Sequence, residues 1–177
     1  MDNLMKSFLS GMLAFAIFFL CTACSVEQPP AIAELKDYPR EVHTVLADTI
    51  LRDYNGKFPP SEYTASGHII LGNEEKAGDV YFYLLASYGV YADKDGELTK
   101  LAGIDAMPAV VVVSADEQGV MTARGSYPRD TEEIRAVFPR QFTDRVTDIG
   151  KNDIDTLAIL EMQNVISQCE KNKPITE

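Results

Sequence analysis

The chain has 177 residues, of which 46% are hydrophobic and 24% are charged, and its formal net charge is −11. This length suits one domain with a substantial core and is too short to predict two. The composition is that of an ordinary globular protein. The excess of acidic residues argues against binding to nucleic acid or to anionic lipid head groups. It is compatible with simple solubility, with a cationic ligand or with a basic partner surface.

Residues 1–23 have the pattern of a secretory signal peptide. Lys6 lies in a short N-terminal region, an apolar run covers residues 7–20, and small residues follow. The apolar run is shorter than the roughly 20 residues that a membrane-spanning helix needs. An uncleaved short anchor and an ordinary secretory signal are alternatives to a lipoprotein signal, and under every interpretation the folded domain is expected outside the cytoplasm.

The segment Cys21-Thr-Ala-Cys24 follows the apolar run. It resembles the lipobox of bacterial lipoproteins, in which small residues precede an invariant cysteine, although Cys21 stands where leucine is usual. The resemblance implies that Cys24 becomes the lipidated N-terminal residue. Two acyl chains would then anchor the protein at the extracytoplasmic face of the cell membrane.

One folded domain is predicted over residues 34–171. Residues 24–33 form a tether, in which the pair Pro29-Pro30 favours an extended path. Residues 172–177 are predicted to be a disordered tail.

A first helix is predicted to begin near Tyr38, with Pro39 in its first turn, where a missing N–H group leaves no hydrogen bond unmade. Apolar residues then recur at helical spacing as far as Ile50. Asn55-Gly56 ends the helix, and the Pro-Pro pair that follows prevents it from resuming.

An antiparallel meander of about four strands is predicted next. Residues 79–91 alternate between two faces that are both largely apolar, which indicates a central strand covered on both sides. Turns are expected at residues 72–78, 93–96 and 116–119, where glycine and charged residues concentrate. The predicted strands are residues 62–71, 79–91, a short piece at 97–102, 109–114 after a loop at 103–107, and 120–126.

Helices are predicted to complete the chain. Asp130 should cap a helix that starts at Thr131 and ends at Pro139. A further turn or two is expected at residues 141–149, and a last helix from Asn152 to about residue 170. This order predicts the α+β class, and a sheet that wraps the first helix would suit a cystatin-like or NTF2-like arrangement.

Tyr81, Tyr83, Tyr88 and Tyr91 are the candidates for a ligand or partner face. Tyrosine combines a large apolar ring with a polar hydroxyl group, which suits a recognition surface. The alternative, which residue statistics favour, is that these rings cover the second face of the sheet beneath the C-terminal helices.

The sequence contains no interpretable catalytic or metal-binding motif. Neither His43 nor His68 belongs to the HExxH helix of a zinc protease, and local spacing assembles no structural zinc site. Cys169 is predicted to be a small buried hydrophobic residue. The alternating carboxylates between Asp93 and Glu97 are better explained by a hairpin turn than by a calcium loop. We therefore predict no catalytic residue, no metal and no cofactor.

Short motifs between residues 68 and 146 resemble a known extracytoplasmic domain. The matching segments are Leu71-Gly-Asn-Glu-Glu-Lys76, Val80-Tyr81, Ala86-Ser-Tyr-Gly89 with Tyr91, Pro108 before the valine run, Pro128-Arg-Asp130 and Val137-Phe-Pro139. That domain occurs in small lipoproteins and in some Firmicutes membrane proteins, including C-terminal regions of beta-lactam-sensor-like membrane metallopeptidases. The resemblance covers under half of the chain and carries over no catalytic residue. It implies an exported sensor-like or accessory domain in a Gram-positive bacterium.

These observations predict a non-enzymatic, lipid-anchored domain that binds a protein partner or a small ligand. The membrane is one expected partner, through the N-terminal lipid, and a membrane protein is another. Nucleic acid is not expected. The alternatives are a small enzyme of an unrecognised class, with a cavity between the sheet and the first helix, and a purely structural envelope lipoprotein.

Overall fold

The computed structural model describes residues 38–118 and 120–172. The elements within them are α1 (Arg40–Tyr54), β1 (Tyr63–Lys76), β2 (Asp79–Lys94), β3 (Glu97–Ala115), β4 (Met121–Ser126), α2 (Thr131–Val137), α3 (Arg140–Thr147) and α4 (Lys151–Asn172). This order confirms the predicted α+β class. The predicted signal peptide, the tether, Cys24 and the tail beyond Asn172 lie outside the described residues.

The four strands form one antiparallel sheet in the order β1-β2-β3-β4. Strand β2 pairs with β1 on one side and with β3 on the other, and every residue from Phe82 to Tyr91 is buried. The prediction of a central strand that is covered on both faces is therefore confirmed. The prediction succeeded because a strand that is buried on both faces needs hydrophobic residues at nearly every position.

Two-residue turns join the first three strands. Ala77 and Gly78 have φ angles of 54° and 85°, and Asp95 and Gly96 have φ angles of 58° and 87°. Positive φ at both central residues gives a turn whose twist matches that of the flanking strands. The longer loop predicted at residues 72–78 is wrong, because residues 72–76 pair with β2 while most of their polar side chains remain exposed.

Strand β3 is continuous, so the loop predicted at residues 103–107 is also wrong. Its pairing with β2 continues through two register shifts that lie on either side of Gly89. Gly103 lies opposite Gly89 with a φ of 154°, and an added Cβ there would overlap the carbonyl oxygen of Tyr88. The register shifts let β3 bend without leaving the sheet.

Helices cover both faces of the sheet, and each face has its own core. The face covered by α1 buries Leu46, Ile50, Phe82, Leu84, Ala86, Tyr88, Val90, Ala109 and Val111. The face covered by the C-terminal helices buries Tyr83, Leu85, Val110, Val112, Ile134, Phe138, Val146 and Leu157. Each large apolar side chain contributes about 1.5–3 kcal/mol when fully buried, so both cores are needed for stability.

The C-terminal helices lie close to their predicted positions. Asp130 Oδ1 accepts hydrogen bonds from the backbone N–H groups of Glu132 at 2.9 Å and Glu133 at 2.8 Å, which confirms the predicted N-cap. Helix α4 begins at Lys151, just before the predicted cap Asn152. Among the described residues, no helix combines the length and the hydropathy that crossing a membrane requires.

Candidate functional site

The four candidate tyrosines do not lie on one surface. Tyr83 and Tyr91 are 1% and 2% exposed and lie beneath the C-terminal helices. Tyr88 lies on the opposite face of β2, against α1, where its ring centroid is 5.5 Å from that of Tyr54. Tyr81 is half-buried. Because β2 directs alternate side chains to two covered faces, the structure does not bring these rings together as one ligand or partner face.

The two histidines of the chain, to which no motif assigned a role, lie side by side. His43 belongs to α1 and His68 to β1, and His43 Nδ1 is 2.9 Å from His68 Nε2. Their rings stack at 25° with centroids 5.1 Å apart. His68 reaches α1 because it pairs with Ala86, which lies on the sheet face that α1 covers. The hydrogen bond needs one N–H group and one lone pair, so at least one ring is neutral.

The surroundings of His68 keep it uncharged. Burial lowers the pKa of His68 from 6.5 to about 4, and the neighbouring His43 acts in the same direction. At neutral pH the imidazole of His68 therefore has one nitrogen that donates a hydrogen bond and one that accepts.

A polar groove of about 390 Å³, here called the histidine groove, lies beside this pair between α1, β1 and α4. Its charged residues are Arg40, Lys171 and Asp48. Hydroxyl and amide groups come from Thr44, Ser66, Ser167, Asn164 and Gln168. The volume lies within the range of small-molecule sites, and the lining combines these hydrogen-bond donors and acceptors with the apolar residues Ala47, Leu51 and Ala65.

Two amide side chains of α4 cover the outer edge of β1 at the base of the groove. Asn164 Nδ2 donates a hydrogen bond to the carbonyl oxygen of Ser66 at 2.7 Å, and Gln168 Nε2 donates to that of Thr64 at 2.8 Å. Because β1 is an edge strand, no further strand of the described sheet satisfies these carbonyl groups. The two bonds fix α4 against β1 and so hold the walls of the groove in place.

Glu161 on α4 is a buried carboxylate that no sequence motif indicated. It is 0% exposed, and its Oε1 accepts hydrogen bonds from the Tyr91 hydroxyl group and from Lys100 Nζ, the latter at 2.9 Å. Its Oε2 has no hydrogen-bond partner among the residues that the structure describes. Gly89 makes room for this carboxylate, since an added Cβ would overlap Oε1.

Lys100 connects the buried carboxylate to the surface. Its Nζ also lies 3.0 Å from Asp105 Oδ1, and its side chain is 29% exposed. Burial alone would lower the pKa of Lys100, but the hydrogen bonds to Glu161 and Asp105 have the larger effect. The pKa of Lys100 is therefore raised. Burial and the bond to Glu161 raise the pKa of Tyr91. None of these residues lines the histidine groove. The cluster joins α4 to β2 and β3 through the contacts of Glu161 with Tyr91 and Lys100.

Of the histidine pair and the buried carboxylate of Glu161, only Glu161 is indicated by a pattern in the sequence. Leu157, Glu161 and Val165 recur at intervals of four residues, so helical spacing places Glu161 in the buried stripe of α4. No comparable signal joins His43 to His68, because they are 25 positions apart on different elements.

The structure offers no metal centre in the part of the chain it describes. Within residues 38–118 and 120–172, no group of three or more His, Cys, Asp or Glu side chains is placed to hold a metal ion. Comparison of the chain with protein-family models, curated proteins and solved structures found no match. The fold and the groove define a class of protein, an α+β domain with a polar, histidine-containing groove at one edge of its sheet.

Proposed function

We propose that this protein is a non-enzymatic, lipid-anchored extracytoplasmic binding domain of a sensor or accessory type, with the histidine groove as its ligand site. The location is supported by the signal-like N-terminus and by Cys24. The binding role is supported by one observation above all. Two distant histidines meet at a polar groove of small-molecule size.

The groove suits a small ligand that carries an anionic group. Arg40 and Lys171 supply positive charge on a chain with a net charge of −11, and neither forms an ion pair within the described residues. Neutral His68 adds hydrogen-bonding capacity without adding charge. Asp48 supplies the one carboxylate of the lining and would orient a ligand that also has a donor group.

Binding is favoured over catalysis because, among the described residues, no hydroxyl group that lines the groove is hydrogen-bonded to a histidine. The Ser66 hydroxyl group donates to the carbonyl oxygen of Ala47 at 3.4 Å, and His43 and His68 bond to each other. An activated nucleophile instead needs a base within hydrogen-bond reach. The arrangement can therefore recognise a polar ligand without a group that is set to attack it.

Thermal unfolding of the full-length protein in detergent, with a panel of small carboxylates, phosphates, sugars and dipeptides, tests this proposal. A groove ligand at about 100 times its Kd should add about 2.7 kcal/mol of stability and raise Tm. The His43→Gln/His68→Gln variant should lose this shift. Arg135→Gln, at an exposed position of α2 outside the groove, is the control and should retain it. An equal shift in both variants, or no shift with any compound, would contradict the proposal.

A small enzyme is the second candidate function, and neutral His68 is the observation that favours it. An imidazole that is uncharged at neutral pH has a lone pair that can accept a proton from a substrate, and a pKa of about 4 makes His68 a weaker base than an ordinary histidine. Chromogenic ester, phosphate and peptide substrates distinguish the two functions. If the wild type turned over a substrate and a folded His68→Gln variant did not, the protein would be an enzyme rather than a binding domain.

A further inference from the structure

The outer edge of β3 is open over more than half of its length. Strand β3 has 19 residues, but β4 pairs only with Val110–Ala115. No other strand among the described residues lies on that side of residues 97–109. At the edge of β1, by contrast, the carbonyl groups of Thr64 and Ser66 accept hydrogen bonds from Gln168 and Asn164. An open edge presents backbone N–H and C=O groups that can pair with another chain.

A cleft of about 690 Å³ adjoins this open edge. Ile104 and Met107 of β3 line one side of it, and Tyr54 at the end of α1 and Tyr127 after β4 line the others. Side chains of a strand alternate in direction, so every second side chain of a chain paired with β3 would point towards the cleft. The cleft and the edge can therefore be occupied by one segment.

The cleft carries positive charge. Lys57 and Arg129 line it, and none of its described lining residues carries a carboxylate. Neither cation forms an ion pair within residues 38–118 and 120–172. The nearby carboxylate of Asp53 is occupied by Arg52 at 3.0 Å and by the Tyr127 hydroxyl group at 3.1 Å. The carboxylate of Glu133 accepts a hydrogen bond from the backbone N–H group of Arg129 at 2.7 Å, and Lys57 Nζ lies 4.1 Å from the centroid of the Tyr54 ring. The two cationic side chains that line the cleft attract an acidic group.

We propose that the β3 edge and this cleft form a docking site for an extended, acidic segment of a partner protein. The segment adds a strand beside residues 97–107, in line with β4, and its backbone pairs with β3. An Asp or Glu side chain of the segment enters the cleft and meets Lys57 and Arg129. A second copy of this chain fits less well, because its own edge carries the same two cations. This surface is separate from the histidine groove.

The probe is a peptide selected from a random seven-residue phage library against the full-length protein in detergent. Seven residues cover roughly 23 Å of strand, less than the length of the open edge. The selected sequences should alternate acidic residues with β-branched or aromatic ones. The synthetic consensus peptide, labelled for fluorescence anisotropy, then measures affinity.

Charge variants test the cleft. Lys57→Glu/Arg129→Glu should weaken peptide binding about tenfold or more, because attraction becomes repulsion. Arg135→Glu/Lys151→Glu makes the same change in net charge at exposed positions outside the cleft and away from the β3 edge, and it should weaken binding less than about twofold. Matching circular dichroism spectra and Tm values show that both variants remain folded.

Backbone pairing has a separate readout. N-methylation of the peptide amides that face β3 should abolish binding, whereas methylation of the alternate amides should leave it within about twofold. Bound peptide should also slow amide hydrogen exchange over residues 97–107. The proposal would be overturned by a library that yields no enriched sequence, by equal losses in the two charge variants, or by unchanged exchange. A dimer of the chain that protects the same residues without peptide would also overturn it.

Discussion

At the scale of single residues, the protonation of His68 links burial to stability. Its pKa is lowered from 6.5 to about 4, chiefly by burial. As the pH falls below 6.5 the unfolded chain takes up a proton at this position, whereas the folded chain does so only near pH 4. Neutral His68 therefore makes its full contribution to the free energy of unfolding above pH 6.5, and this contribution is lost progressively as the pH falls to about 4.

We expect His68→Gln to remove this part of the acid sensitivity. The difference in the free energy of unfolding between wild type and variant should change by about 1–3 kcal/mol between pH 7 and pH 4.5, with the half-buried position of the ring limiting the effect. Urea denaturation at several pH values measures it. If the free energy of unfolding changed with pH in the same way for wild type and variant, His68 would be equally easy to protonate in the folded and unfolded chains.

Glu161 permits a second test at this scale. Glu161→Gln removes the charge that Lys100 and Tyr91 surround, and we expect a loss of about 1–3 kcal/mol in the free energy of unfolding. The loss should stay below the value usual for a broken buried pair, because Lys100 keeps Asp105 and is 29% exposed.

The matched control for Glu161→Gln is Glu170→Gln, an exposed change on the same helix. Its effect should remain within about 0.5 kcal/mol. Urea denaturation of both variants checks the prediction. Equal stability in the two would mean that the buried carboxylate does not hold α4 to the sheet.

Residues whose roles depend on near neighbours could be predicted from the sequence, and the others could not. Asp130 caps α2 through N–H groups two and three positions away, so its pattern is local. His43 and His68 meet only because β1 folds against α1. Their side chains alone contain no information about that pairing.

At the scale of elements, α4 does more than bury an apolar stripe. Asn164→Ala/Gln168→Ala would leave two carbonyl groups at the edge of β1 without their partners. We expect a loss of about 1–3 kcal/mol in the free energy of unfolding, together with faster aggregation from the exposed edge. Urea denaturation and light scattering measure the two effects.

The control for the β1 edge is Gln163→Ala, which changes an exposed amide of α4 that forms no hydrogen bond to β1 among the described residues. It should alter neither stability nor aggregation by a measurable amount. If the double variant behaved like this control, solvent would satisfy the two carbonyl groups as well as the amides do.

The strands show where element prediction succeeds and where it fails. The apolar run of β2 was sufficient to place it at the centre of the sheet. Residues 103–107 contain glycine and aspartate and have the composition of a loop, yet they remain in β3. Pairing with β2 on the adjacent side outweighs their weak intrinsic preference for strand, and that pairing is a tertiary contact.

At the scale of the whole molecule, the expected lipid anchor can be tested directly. Cells that express the full-length chain and receive an alkyne fatty acid should label the wild type, and its mass should show removal of residues 1–23. Cys24→Ala should be unlabelled and should retain residues 1–23, because the acylated cysteine defines the cleavage site. Mass spectrometry and in-gel fluorescence provide the measurements.

Two other cysteines serve as controls for the anchor. Cys21→Ala and Cys169→Ala should both be labelled and processed like the wild type. Label that persists in Cys24→Ala, or that is lost in Cys21→Ala, would place the lipid elsewhere. Cross-linking in membranes, compared between wild type and Cys24→Ala, would then show whether a membrane-protein partner depends on the anchor.

The sequence by itself determined the α+β class, the central strand, the cap at Asp130 and the absence of a recognisable catalytic motif, because each is written in short-range patterns of polarity. Only the tertiary structure decided that His43 meets His68, that Tyr91 and Lys100 meet Glu161, and that β3 has an open edge. These features arise between elements distant in sequence. Their geometry follows from how the helices cover the sheet, and local periodicity carries no record of it.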